Sequence, residues 1–298
     1  MASKTASQDT IDDTSAPLIE HLAELRMRLI WSVLAFVVAM LVCFAFGDAL
    51  LDFLLMPIET TMRSLGNPNP VMQYTAPQEY FFTLVQISMV GGFALAFPVI
   101  AYQLWRFVAP GLYRSEKNAF LPFLVASPVL FFIGASFAHF VVVPMAMGFF
   151  LGFADIPSVF AAYFTDPTDA TAVVAPATSE SGIEIVFNGK VNETLDITLK
   201  MIIAFGLCFQ LPVLLTLMGK AGLVAARGLR AGRKWAIVGI MTLAAIVTPP
   251  DVITQVMLFT VVYGLYEISI FLVASVEKKR KQELQAEGLW DDELEDDA

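Results

Sequence analysis

The chain has 298 residues, of which 57% are hydrophobic and only 15% charged, with a mean hydropathy of +0.69. A soluble domain of this length carries about a quarter charged residues, so the composition excludes a water-soluble enzyme or binding module and points to a polytopic membrane protein. The formal net charge of −10 does not describe one surface, because much of it sits in the run DDELEDDA and in an acidic stretch between residues 155 and 196.

Residues 1–16 are polar and are expected to lack regular structure. The stretch PLIEHLAELRMRL (17–29) follows. At about 100° per residue, Leu22, Leu25 and Leu29 fall within about 40° of Leu18 and make one apolar stripe. Glu20, Glu24 and Arg28 step down another side at intervals of four, with His21 nearby. This predicts an amphipathic helix at the inner membrane interface that feeds the first span. Glu24 has two readings at this point: a local pair with Arg28, or a carboxylate set out for a cationic guest.

Six apolar segments are predicted to span: Met27–Phe46, Tyr80–Leu104, Phe120–Val143, Leu195–Met218, the short WAIVGIMTLAAIV (235–247), and Val252–Val276. The first is long enough to span and stay, so no cleavable leader is expected. Between the first two, residues 47–79 read as a short helical hairpin or turn cap. The loop WRFVAPGLYRSEKNAF (105–120) places a second carboxylate, Glu116, beside Arg114 and Lys117. Residues 154–194 carry GIEIVFNGKV, whose alternation and Asn188-Gly189 step predict a β-hairpin. The run from Lys220 to Lys234 is basic, which sets topology and attracts anionic lipid. TPPD (248–251) makes a tight turn into the sixth span, and residues 277–298 form a charged tail.

Placing both termini in the cytoplasm puts fifteen of the 18 Lys and Arg inside and leaves only Arg63, Lys190 and Lys200 outside, as the positive-inside rule requires. The expected fold is therefore all-α and polytopic. Six transmembrane helices form one domain over residues 17–276, with an extracytoplasmic insertion at about 154–194. Pro98, Pro122, Pro128, Pro144 and Pro212 lie in or beside spans. Each is expected to kink its helix, which favours a concave wall over a straight bundle.

Few residues are available for chemistry. Cys43 and Cys208 sit in apolar runs and read as small packing residues rather than a disulfide. With two histidines and no ligand cluster, no metal or other cofactor is expected. No triad or zinc spacing supports an enzyme. His139 in the third span reads as a satisfied polar core group. Glu267 in the sixth is a charge at bilayer depth that has to face protein or water. Two acids on a basic inner face fit a cation that pairs with more than one carboxylate, and guanidinium matches best because of its planar fork.

HLAELRMRL (21–29), FVAPGLYRSE (107–116) and TPPDVITQ (248–255), in this order over six spans, together with FPVIAYQLWRF (97–107), closely resemble the twin-arginine translocase subunit TatC over about residues 17–276. The resemblance implies a multi-pass protein of the bacterial inner membrane. Such a protein is the receptor and core subunit for folded precursors that carry Arg-Arg signal peptides, and export runs on the proton gradient. It implies TatA and TatB as single-span partners in a hetero-oligomer of several copies, with lipid contacts and no nucleic acid. Carried over motif by motif, signal-peptide binding falls on Glu24 and Glu116, with Arg26 and Phe107 beside them. Pro57 matches a proline early in the first outer loop. Partner-helix docking falls on Thr248, Gln255 and Asp251. Where many relatives carry a glutamate in the fourth span, this chain has Gln210; an amide can hold a polar partner but cannot titrate there. The competing reading is a small-solute secondary transporter built on Glu267, Gln210 and His139. Against it, the sequence shows no internal repeat and no matched pair of broken helices.

Overall fold

The structure is a computed structural model, and it describes residues 6–65, 67–112, 121–153, 189–248 and 251–286. In chain order the helices and strands are α1 (Ala6–Ala45), α2 (Gly47–Ser64), β1 (Met72–Gln73), α3 (Glu79–Leu112), α4 (Leu121–Phe137), a π-helical turn (Ala138–Val142), α5 (Val143–Phe153), β2 (Gly189–Lys190), α6 (Val191–Cys208), α7 (Leu211–Lys220), α8 (Ala226–Ala231), α9 (Arg233–Val247) and α10 (Val252–Ala286). The protein is thus an all-α polytopic membrane protein. Five helical stretches are long and apolar enough to cross a bilayer: Leu22–Ala45, Glu79–Phe107, Pro122–Gly152, Val191–Lys220 and Val252–Gln282. The predicted fifth span is α9, with 15 residues. That gives about 22 Å against a hydrocarbon core of about 30 Å.

The described residues form two compact units. One lies within Met1–Phe46 and Ser88–Val129, the other within Gly47–Ile87 and Leu130–Ala298. In the first unit α1 and α3 pack closely, and the device is a glycine. A Cβ added to Gly92 would lie 2.6 Å from the Cα of Met40 and 2.7 Å from its backbone nitrogen. Burying apolar surface gives lipid-facing helices no advantage over lipid contact, so small residues that let backbones approach are what hold such pairs together. The 40-residue α1 starts at Ala6 and so takes in residues 6–16, where no regular structure was expected.

The second unit holds the main core. Ile58 and Met62 of α2 meet Val142, Val143 and Ala146, then Met201 and Phe205 of α6, Ala244 of α9, and Leu258 and Val262 of α10. Within the segment 47–79 the described residues form one helix, α2 (Gly47–Ser64), with Pro57 buried inside it, followed by the short β1, rather than a helical hairpin. Thr60 and Thr61 donate their hydroxyls to the Pro57 carbonyl at 2.9 and 2.7 Å. Both cysteines are buried and free.

The prolines act in different ways. Pro98 and Pro128 are carried inside α3 and α4 without ending them. Pro144 is preceded by the π turn, whose wider winding absorbs the lost hydrogen bond, so the third span runs on to Gly152 instead of stopping near Val143. Ahead of Pro212 the helix breaks at Phe209–Gln210, and the proline then occupies the first turn of α7, where no N–H is needed. α7 ends on a Schellman motif: Leu223 N–H reaches the Met218 carbonyl at 2.9 Å and Gly222 N–H reaches Gly219 at 3.0 Å. Gly222 adopts φ +74°, which a side chain would strain.

The predicted β-hairpin is not what the described part of that loop forms. Gly189–Lys190 pair in parallel with Met72–Gln73, and Val191 already begins α6, so the second arm of a hairpin has no room. Residues 154–188 lie outside the described residues. The strand pair ties the segment before α3 to the start of α6. A second link, Gln86 Nε2 to Asp196 Oδ1 at 2.9 Å, joins the same two helices. Replacing Gly92 by Leu is expected to force α1 and α3 apart at a cost of about 1–3 kcal/mol, read as a lower thermal midpoint of the detergent-solubilised protein.

Candidate functional site

On α1, Glu24, Met27, Arg28 and Trp31 recur at i, i+3, i+4 and i+7, which places them on one face. With Gln103 and Arg106 of α3 they line an open cavity of about 450 Å³ within the first unit. Glu24 and Arg28 are joined across one turn: Arg28 Nε donates to Glu24 Oε1 at 3.0 Å and Nη2 donates to the same oxygen. The local pair foreseen from the spacing is therefore present. Arg28 is the more enclosed partner, with its side chain 14% exposed against 37% for Glu24. Arg106 leans back on its own helix, donating to Tyr102 Oη at 3.1 Å with its guanidinium 5.9 Å above the ring.

Among the lining residues, then, there is one carboxylate and there are two guanidiniums. Arg26 is exposed and lies about 200° around the helix from Glu24, so it leaves this face. Phe107 is half-buried next to Arg106. Glu116 lies outside the described residues. The leucine stripe has no cover within the chain: Leu22, Leu25 and Leu29 are all exposed.

The other predicted residues fall in the second unit. Thr248 is buried and caps α9, its N–H and hydroxyl both reaching the Ala244 carbonyl at 2.9 Å. It also lines an open apolar groove of about 800 Å³ that runs along α6, α7 and α9 past Ile203, Leu207, Leu243 and Ile246, with Lys200 in its wall. Gln210 lies half-buried at the α6–α7 break. Asp251 is buried and its carboxylate is committed to the chain's own helix end: Oδ2 accepts the Thr254 N–H at 2.7 Å, and Oδ1 accepts the Thr254 hydroxyl. That satisfies the start of α10, an N-cap whose acidity also suits the helix dipole. Gln255 is half-buried, and no hydrogen bond of its side chain is seen among the described residues.

Glu267 in the sixth span bonds a neighbouring helix. α10 has 35 residues, so it is about 52 Å long and overshoots a membrane. Antiparallel to it, α9 begins at Arg233, which stands level with Glu267 and bonds it at 2.7 Å. The acid therefore meets a neighbouring helix, level with the start of α9. His139 departs from expectation. It is buried in the π turn, stacked on Phe53 at 4.5 Å and edge-on to Phe140 at 4.7 Å, yet neither ring nitrogen finds a hydrogen-bond partner among the described residues.

Several residues with structural work were not singled out from the sequence. Tyr266 donates to the Leu229 carbonyl at 2.7 Å, and Glu277 accepts the Ala226 N–H at 2.8 Å. Asp196 holds both Gln86 and Lys200. Apart from the Asp196–Lys200 pair, these contacts join residues 37–110 positions apart in the chain, so no local pattern signals them. Among the described residues no group of three or more His, Cys, Asp or Glu could hold a metal ion.

The family model described as "Sec-independent protein translocase protein (TatC)" matches residues 20–260. The TatC of Magnetococcus marinus is 41% identical over 288 residues, covering 96% of this chain and 95% of its own. That of Aquifex aeolicus is 38% identical, covering 89% and 98%. That of Escherichia coli K12 is 30% identical, covering 88% and 89%. A crystal structure described as the "Twin Arginine Translocase Receptor- TatC" superposes with a TM-score of 0.67 at 36% identity, covering 86% of this chain and 99% of that one.

The Asp251 geometry gives a direct test. Asp251→Ala removes the acceptor for two buried donors and is expected to cost about 1–2 kcal/mol, whereas Asp251→Asn keeps an acceptor oxygen and loses less. Thermal unfolding of the two variants in one detergent makes the comparison.

Proposed function

Because this chain belongs to the TatC family of Sec-independent protein translocase proteins, and so is a multi-pass subunit of the twin-arginine translocase in the bacterial inner membrane, we propose that the α1–α3 cavity receives the arginines of a signal peptide. One observation carries this reading: Glu24 presents a partly exposed carboxylate at the rim of a cavity large enough for a side chain. Two guanidiniums share that lining, so the acid stands on an otherwise basic face. Glu116 is the second proposed acid, on the strength of its motif, with Arg26 and Phe107 flanking the pair.

The energies limit what the acids do alone. A hydrogen bond to a charged group contributes about 1.5–3 kcal/mol, so two pairs give about 3–6, and micromolar affinity needs about 8. The remainder comes from burying the apolar part of the signal, and the exposed leucines of α1 offer such a surface. Preference for arginine over lysine follows from the fork, which an ammonium cannot reproduce.

The same reading assigns the membrane-embedded partners. The half-buried amide of Gln255, the Thr248 end of the apolar groove and Gln210 offer polar points against single-span helices of the TatA and TatB type. Asp251 acts there by fixing the start of α10, Pro57 by its place in the outer cap, and Glu267 by anchoring α9. Gln210 docks without titrating, so no proton transfer is assigned to this position. The chain is a transport component, and its proposed role requires no catalytic group or cofactor of its own.

The signal-peptide site is tested by pull-down. The double variant Glu24→Ala, Glu116→Ala is expected to abolish the preference of the solubilised protein for an Arg-Arg over a Lys-Lys signal peptide. An unchanged preference removes the site.

A further inference from the structure

The pair inside the α1–α3 cavity already has the form that a guest arginine would make. Arg28 lies one turn along the same face from Glu24 and gives one of its carboxylate oxygens, Oε1, two N–H groups. An incoming guanidinium offers the same planar fork to the same group. The other lining cation, Arg106, is turned to Tyr102 instead. We propose that Arg28 is an internal competitor for Glu24: it holds the carboxylate while the site is empty and is exchanged when a signal arginine arrives. The inference rests on the reading above and adds the control that the site carries.

The empty site has such a partner. The half-exposed carboxylate and the more enclosed Arg28 guanidinium neutralise each other on one helix, without a second chain. An i, i+4 pair on a partly exposed helix is also weak enough to open. Exchange replaces one fork by another and leaves Glu24 neutralised throughout.

Competition within one molecule has a definite signature. It divides the affinity of every ligand that needs Glu24 by one factor, set by the fraction of carboxylate left free. It therefore raises a threshold without changing the ratio between ligands. A peptide that offers charge alone falls below the threshold. One that also buries an apolar segment rises above it.

The experiment is equilibrium binding of two fluorescent synthetic signal peptides, identical except for Arg-Arg or Lys-Lys, to the full chain in lipid nanodiscs. Arg28→Lys keeps the charge and loses the fork. It is expected to tighten both peptides about two-fold, and Arg28→Gln about five-fold, with the ratio between the peptides unchanged. In a Glu24→Gln background, Arg28→Lys is expected to change nothing. The inference is overturned if either Arg28 variant binds no tighter, if only one peptide gains, or if the Arg28→Lys gain survives Glu24→Gln. Each of those results leaves the wild-type dependence on Glu24 standing. Loss of that dependence would instead remove the signal-peptide site itself, and the competitor with it.

Discussion

A charged group near hydrocarbon has to be matched by a donor or a counter-charge, and the rest of this structure is arranged around that requirement. The chain supplies its own matches. Glu24 is held by Arg28, Glu267 by Arg233, Asp196 by Lys200 and Gln86, and Asp251 by the backbone and hydroxyl of Thr254. The four differ in how readily they open. Asp251 is 6% exposed and its acceptors are used at a helix end, so it is fixed. Glu24 lies on a single helix turn with its side chain 37% exposed, so it can change partners. An acid that changes partners suits reception, and an acid that does not suits architecture.

Much of the fold was legible because hydrocarbon thickness converts directly into run length. Long apolar windows mark five spanning helices, and the short segment 235–247 was recognisable as a short one. Partners between spans were not legible. Hydropathy counts residues along one helix, and the Arg233 that meets Glu267 comes from the start of α9, 34 positions away. The parallel pairing of Gly189–Lys190 with Met72–Gln73 joins distant stretches, so the local Asn-Gly signal could not reveal it. The π turn before Pro144 is a response to a missing donor that a proline count alone does not specify.

The candidate site was half visible. An acid among arginines drew attention to Glu24, and the spacing suggested Arg28 as its neighbour. The cavity needed α3. Met27 and Trp31 share the face of Glu24, but the leucine stripe dominates the helical pattern and turns the eye to a different side. His139 shows the opposite failure. A buried histidine is ordinarily bonded, and only packing against Phe53 and Phe140 reveals that this one is surrounded by rings instead.

The length of α10 has a mechanical consequence. Beyond the level at which α9 starts, the helix continues through Glu267 to Ala286, and along that extension it grips the chain between α7 and α9 at two more points, the Leu229 carbonyl through Tyr266 and the Ala226 amide through Glu277. Three contacts, from Tyr266, Glu267 and Glu277, spread over about 15 Å of rod. The segment with α8 is thus fastened to the sixth span along its side, and pulling it away has to break these contacts.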